Sequence, residues 1–167
     1  MPEWTIKEEN TELLLHDCVI SDAKLEDGNL VLTFEDGIWL LAETELNPSG
    51  DTIRTGKAHV TIRRVDAAEE SSWADICKGV RLFARKRLKL WRSWSMEKML
   101  RCIRTGKASF AILSMHRDSI SVLFSGVVHM RRSRFSSQYE YFYWKVQAKG
   151  SMEIHFEWDG VRPDCTW

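Results

Sequence analysis

Apolar and polar residues alternate along most of the chain, and turn dipeptides interrupt the alternation at short intervals. Leu30, Leu32 and Phe34 share one parity while Val31, Thr33 and Glu35 share the other, so a strand there buries one face and wets the other. Runs at 19–24, 30–34 and 38–42 are separated by Asp27-Gly28 and Asp36-Gly37, which supply the positive φ angles of tight hairpins. They predict three antiparallel strands in a meander. Asn47-Pro48-Ser49-Gly50-Asp51 is a turn cluster, after which 57–65 reads as a fourth strand, with Ala58, Val60 and Ile62 set against His59, Thr61 and Arg63. The acidic, small-residue segment 66–72 marks a break between two lobes, 1–66 and 73–167, which could also form one continuous domain.

Between 80 and 94, Val80, Leu82, Ala84, Leu88 and Leu90 share one parity, and Arg81, Phe83, Arg85, Arg87, Lys89 and Trp91 share the other. A strand fits this pattern, although a helix can be drawn through Ile76, Val80, Phe83 and Arg87. Ser95, followed by Met96-Glu97-Lys98-Met99-Leu100, is a helix start: a hydroxyl cap and a first-turn acid, with Met96, Met99, Leu100 and Ile103 along one side and Gly106 to close it. Strands follow at 109–115, 120–130, 139–147 and 152–158. In the last, Met152, Ile154, Phe156 and Trp158 oppose Glu153, His155 and Glu157. The pattern predicts an α+β protein, mostly antiparallel β, with about eight strands and one main helix near 95–105. The hexapeptide Ile53-Arg54-Thr55-Gly56-Lys57-Ala58 recurs as Ile103-Arg104-Thr105-Gly106-Lys107-Ala108. Its flanks do not repeat, which points to shared turn-into-strand chemistry rather than duplication.

Charge changes this picture more than composition does. The 167 residues carry no net charge, yet residues 1–75 hold 17 acidic and 6 basic side chains, and residues 76–135 hold 2 and 15. Within 78–107 there are eleven Lys/Arg and one acid, Glu97. Such a block suits an acidic protein surface, a nucleic acid or the acidic half of the same fold. No apolar run is long enough to span a bilayer, no secretory leader is evident, and the four cysteines form no CxxC pair, so reduced thiols and a cytoplasmic location are expected.

Tests for catalytic motifs return nothing. The Gly-Lys pairs lack the spacing of a phosphate loop, and Ala follows each lysine where a Mg²⁺-binding hydroxyl belongs. None of the five histidines has a partner at the helical or loop spacing of zinc or iron sites, so no metal, cofactor or catalytic residue is expected. A Cys–His pair assembled in space, such as His16 or His129 with Cys77 or Cys102, stays open. What stands out is aromatic and cationic: Arg81, Arg85, Arg87, Lys89 and Trp91 on one parity, then Arg131, Arg132 and Arg134, then Tyr139, Tyr141 and Tyr143. Tyrosine beside arginine is the composition of protein interfaces, and cations interleaved with aromatics also suit a single nucleic-acid strand.

The run Leu15-His16-Asp17-Cys18 leading into Leu30-Val31-Leu32-Thr33-Phe34-Glu35-Asp36-Gly37, with the helix at 95–106 and strands ending in Glu157-Trp158, resembles small uncharacterised bacterial α+β proteins of the toxin-immunity type. The resemblance implies a protein-binding role, with a cognate toxin as partner, and transfers no site residues. Three readings follow. The first is a cytosolic, non-enzymatic protein-binding module that neutralises a toxin or enzyme by surface occlusion, without membrane involvement. The second is a nucleic-acid-binding protein using 78–107, and the third a small enzyme with a spatially assembled site.

Overall fold

A computed structural model describes residues 1–6, 12–82, 86–130 and 139–166, with side chains except at 78–82, 86–88, 139 and 163. In chain order the first strands are β1 (Glu3–Ile6), β2 (Leu13–Leu14), β3 (Cys18–Ile20), β4 (Asp22–Glu26), β5 (Asn29–Phe34), β6 (Trp39–Leu40), β7 (Ile53–Thr55), β8 (Ala58–Ile62) and β9 (Val65–Asp66). The long hairpin β10 (Trp73–Leu82) and β11 (Lys86–Ser95) leads into helix α1 (Met96–Arg104). The chain ends with β12 (Ala108–Arg117), β13 (Ser121–Met130), β14 (Tyr139–Ala148), β15 (Ile154–Trp158) and β16 (Val161–Thr166).

These elements correct the expected class. Sixteen described strands and one nine-residue helix make the protein nearly all-β, not α+β with about eight strands. The helix forms where expected and for the expected reasons. Ser95 Oγ accepts from Lys98 N–H, the four predicted apolar residues are buried, and Gly106 sits at φ +62°. Gly106 N–H donates to Ile103 and Lys107 N–H to Cys102, the paired bonds that close a helix through a left-handed residue. One short helix caps an end of the core and cannot form a layer of its own. The strand number rises because β1, β2, β7 and β16 lie outside the expected runs, and because the expected runs 19–24, 57–65 and 80–94 each divide between two strands.

The strands form three antiparallel sheets, ordered β1-β15-β8-β5-β4, β11-β10-β14-β13-β12-β3 with β9 added beside β14, and β16-β7-β6-β2. The segment 19–24 divides between sheets: β3 pairs with β12, and β4 pairs with β5 through Asp27 (φ 50°) and Gly28 (φ 74°). C-terminal β15 lies between β1 and β8. One hydrophobic cluster runs through all three sheets and the helix, with Phe34, Phe110, Phe124, Phe142, Trp144 and Phe156 fully buried. The repeated hexapeptide has two structural solutions. Gly106 is there for its positive φ, whereas a Cβ at Gly56 would stand 2.1 Å from the Asp159 carbonyl oxygen, so that position needs hydrogen for close approach.

Candidate functional site

Alternation along β14 fixes the geometry of the largest sheet. Phe142, Trp144 and Val146 are fully buried, so Tyr141 and Tyr143 point away from the core, and they are 56% and 43% exposed. The same alternation on the neighbouring strands, combined with their register, gives an unexpected result. Trp91 of β11, Cys77 of β10, Tyr141 of β14, Val127 of β13, Ala111 of β12 and Val19 of β3 stand directly opposite one another in turn. They form one apolar row across six strands, about 24 Å long at the usual inter-strand spacing. Trp91 and Val19, at its two ends, are 50% and 37% exposed.

The flanks of the row are polar. On one side lie Ser93, Asp75, Tyr143, Ser125 and Ser114; Ser93 Oγ donates to Asp75, and the Ser114 and Ser125 hydroxyls share a 2.7 Å hydrogen bond. The Trp91 ring reaches across β10 to stack on Tyr143, with centroids 5.6 Å apart and planes inclined by 30°. Cys77, in register between Trp91 and Tyr141, is buried. On the other side His129 faces Ser109, and Lys89 is exposed beside Trp91. Toward the β3 end the surface hollows into an open concavity of about 630 Å³, lined by Asp17, Ser109, Ala111, Leu113, Val127, His129 and Tyr141.

Of the residues singled out from sequence, this face brings together Lys89, Trp91, Tyr141 and Tyr143. Arg81 and Arg87 face each other in register in the β10–β11 hairpin, and Tyr139 begins β14, but their side chains lie outside the description. Arg85, Arg131, Arg132 and Arg134 fall outside the described residues. Val19, Ala111, Leu113 and Val127 escaped sequence reasoning because single outward apolar residues on separate strands carry no signal until register aligns them.

The five-stranded sheet presents a different outer face. His155 Nε2 lies 3.3 Å from a Glu3 carboxylate oxygen and 3.4 Å from one of Glu157, and its Nδ1 is 2.8 Å from the Thr5 hydroxyl. Beside it, His59 Nδ1 is 3.1 Å from Thr33 Oγ1. On a strand, residues two apart share a face, so His155 and Glu157 form a pair that neither helical nor loop spacing reveals. Cys18 is fully buried, and burial pushes its thiol up to about 11, leaving it in the unreactive protonated form. No helix among the described residues is long and apolar enough to cross a membrane.

No family model matches this chain, and neither a curated protein nor a solved structure is significantly similar to it.

Proposed function

We propose that the chain is a non-enzymatic protein-binding module that holds another protein against the outer face of its largest sheet. The observation that carries this reading is the apolar row from Trp91 to Val19, aligned across six strands and bordered by polar residues that satisfy one another. A contiguous apolar surface with exposed aromatics and a polar rim is the composition of the energetic centre of interfaces. Trp91, held against Tyr143, and Tyr141 are the anchors, since rigid aromatic rings lose little side-chain entropy on binding. Exposed Lys89 at the β11 end, on the same parity as Trp91, favours a partner with an acidic group on that side of its apolar strip. In the immunity-type version of this reading the partner is a cognate toxin or enzyme, a cytoplasmic target blocked by occlusion.

The test is retention of partner by tagged native protein and by Tyr141→Asp and Val127→Asp, followed by reconstitution from purified components. Expected is one protein retained in stoichiometric amount by the native chain and lost from both variants, whose own stability changes little. Retention of RNA or DNA that is lost on nuclease treatment, or equal retention by all three proteins, would overturn it.

A further inference from the structure

The polar face of the five-stranded sheet carries an arrangement that the protein-binding reading does not use. In register, Glu3 of β1 stands directly opposite Glu157 of β15, and like charges placed so repel. No lysine or arginine among the described residues pairs with either carboxylate. Both reach instead toward the same atom, Nε2 of His155, whose side chain is 14% exposed. When His155 Nδ1–H donates to the Thr5 hydroxyl, the Nε2 lone pair points toward two carboxylates with no proton between them. Three lone-pair donors gathered around one small space call for a cation.

The distances discriminate among cations. Ligands held about 2.0–2.2 Å from a tetrahedral ion lie about 3.3–3.6 Å apart, and the two measured nitrogen–oxygen separations are 3.3 and 3.4 Å. All three ligand atoms lie within 4.8 Å of one another, and Glu3, at 70% side-chain exposure, is free to close the wider carboxylate–carboxylate gap. One imidazole and two carboxylates suit zinc or a related transition ion, whereas magnesium and calcium favour shells made of oxygen alone. A hydroxyl holding the other imidazole nitrogen is the outer-shell support that metal-bound histidines require. The frame is firm: Trp4 packs against the core, Ile6 is buried, and Trp158 N–H donates to the Pro2 carbonyl at 3.2 Å.

We infer that Glu3, His155 and Glu157 form a surface site for a divalent transition ion of the zinc class, which clips edge strand β1 onto β15. With three protein ligands, water completes the shell. The experiment is calorimetric titration of the full chain with zinc chloride, paired with thermal melts in zinc, in magnesium and in neither. Expected are one zinc per chain, a melting midpoint raised by several degrees in zinc and unmoved in magnesium, and at least tenfold weaker binding in Glu3→Gln and His155→Gln. Glu3→Gln alters an exposed side chain, so its loss of affinity cannot be laid to misfolding. Absence of saturable binding at 100 micromolar zinc, on the order of a weak extracellular metal site, would overturn the assignment. So would undiminished affinity in both variants, which would place the ion elsewhere.

Discussion

The five-stranded and six-strand-wide faces are both the outward sides of antiparallel sheets, yet they dispose of their side chains in opposite ways. On the smaller sheet almost every outward polar group has a near partner: Thr5 with His155, Thr33 with His59, Glu35 with Lys57 at 2.8 Å, and Glu153 with Arg64 at 2.6 Å. On the larger sheet the polar pairs lie to the sides, and the middle is left to Trp91, Cys77, Tyr141, Val127, Ala111 and Val19. Hydrophobic burial is non-directional and strong, while exposed ion pairs contribute little. Apart from the Glu3–His155–Glu157 group, the first face is therefore finished as it stands, and the second gains most from being covered.

That contrast depends on the two sides of β14 being energetically different, and the largest expected effect tests it. Phe142 is fully buried and meets the Phe110 ring edge-on with centroids 5.2 Å apart. Phe142→Ala should lose about 3–5 kcal/mol of stability in denaturant titration. Tyr141→Ala, one residue away and more than half exposed, should lose no more than about 0.5 kcal/mol. Comparable losses at both positions would mean that the outer face is already covered within the molecule, and the proposed interface would fall.

A smaller effect separates inward from outward positions on β13. A Cβ added at Gly126 would stand 2.0 Å from the Ala111 carbonyl oxygen and 2.9 Å from the Phe142 ring. Backbone cannot yield there without parting β13 from β12, so Gly126→Ala should cost about 1–3 kcal/mol. Neighbouring Ser125→Ala removes only the outward hydrogen bond to Ser114, worth about 1 kcal/mol or less. Unfolding of both variants in urea checks the ranking, and a Gly126→Ala protein as stable as the native would show that the strands can separate at this point.

How much of this was legible follows from what sequence patterns encode. Parity gave the inward residues of β5, β8 and β15, and local chemistry gave the Asp27-Gly28 hairpin and the Ser95 cap, because each depends on residues within a few positions of one another. The row from Trp91 to Val19 depends on five inter-strand registers, which join residues far apart in the chain. Tyr141, Tyr143 and Trp91 were legible as candidates, but their alignment with Val127 and Ala111 was not. The pair His155 and Glu157 was in plain view at a spacing of two, and only the third member, Glu3, needed the fold. The class differs from the expected one for a related reason: a well-capped helix is conspicuous in sequence, while a two-residue strand such as Leu13–Leu14 owes its existence to a partner elsewhere.

The smallest expected effect sharpens the comparison at the turns that close each sheet. The β4–β5 hairpin of the smaller sheet turns on the positive φ angles of Asp27 and Gly28. The β12–β13 connection of the larger sheet is held by a carboxylate: Asp118 accepts from the Ser121 hydroxyl at 2.7 Å and from the amides of Ile120 and Ser121 at 2.8 and 2.6 Å. The Ser121 hydroxyl foremost, then the Ile120 amide, holds the Asp118 carboxyl below the usual aspartate range. A depressed carboxyl contributes stability that is fully present above its unfolded value, about 3.9, and is lost as pH falls through the lower folded value. Asp118→Asn should therefore be less stable than the native protein at pH 7, by under about 1 kcal/mol because the group is exposed to solvent. The difference should shrink below about pH 4 and vanish once the native carboxyl is protonated as well. Urea midpoints of the two proteins measured from pH 7 down to about pH 2 read this directly. A gap that stayed constant across that range would assign the loss to altered turn shape, and the carboxylate would no longer distinguish the larger sheet's turn from the smaller one's.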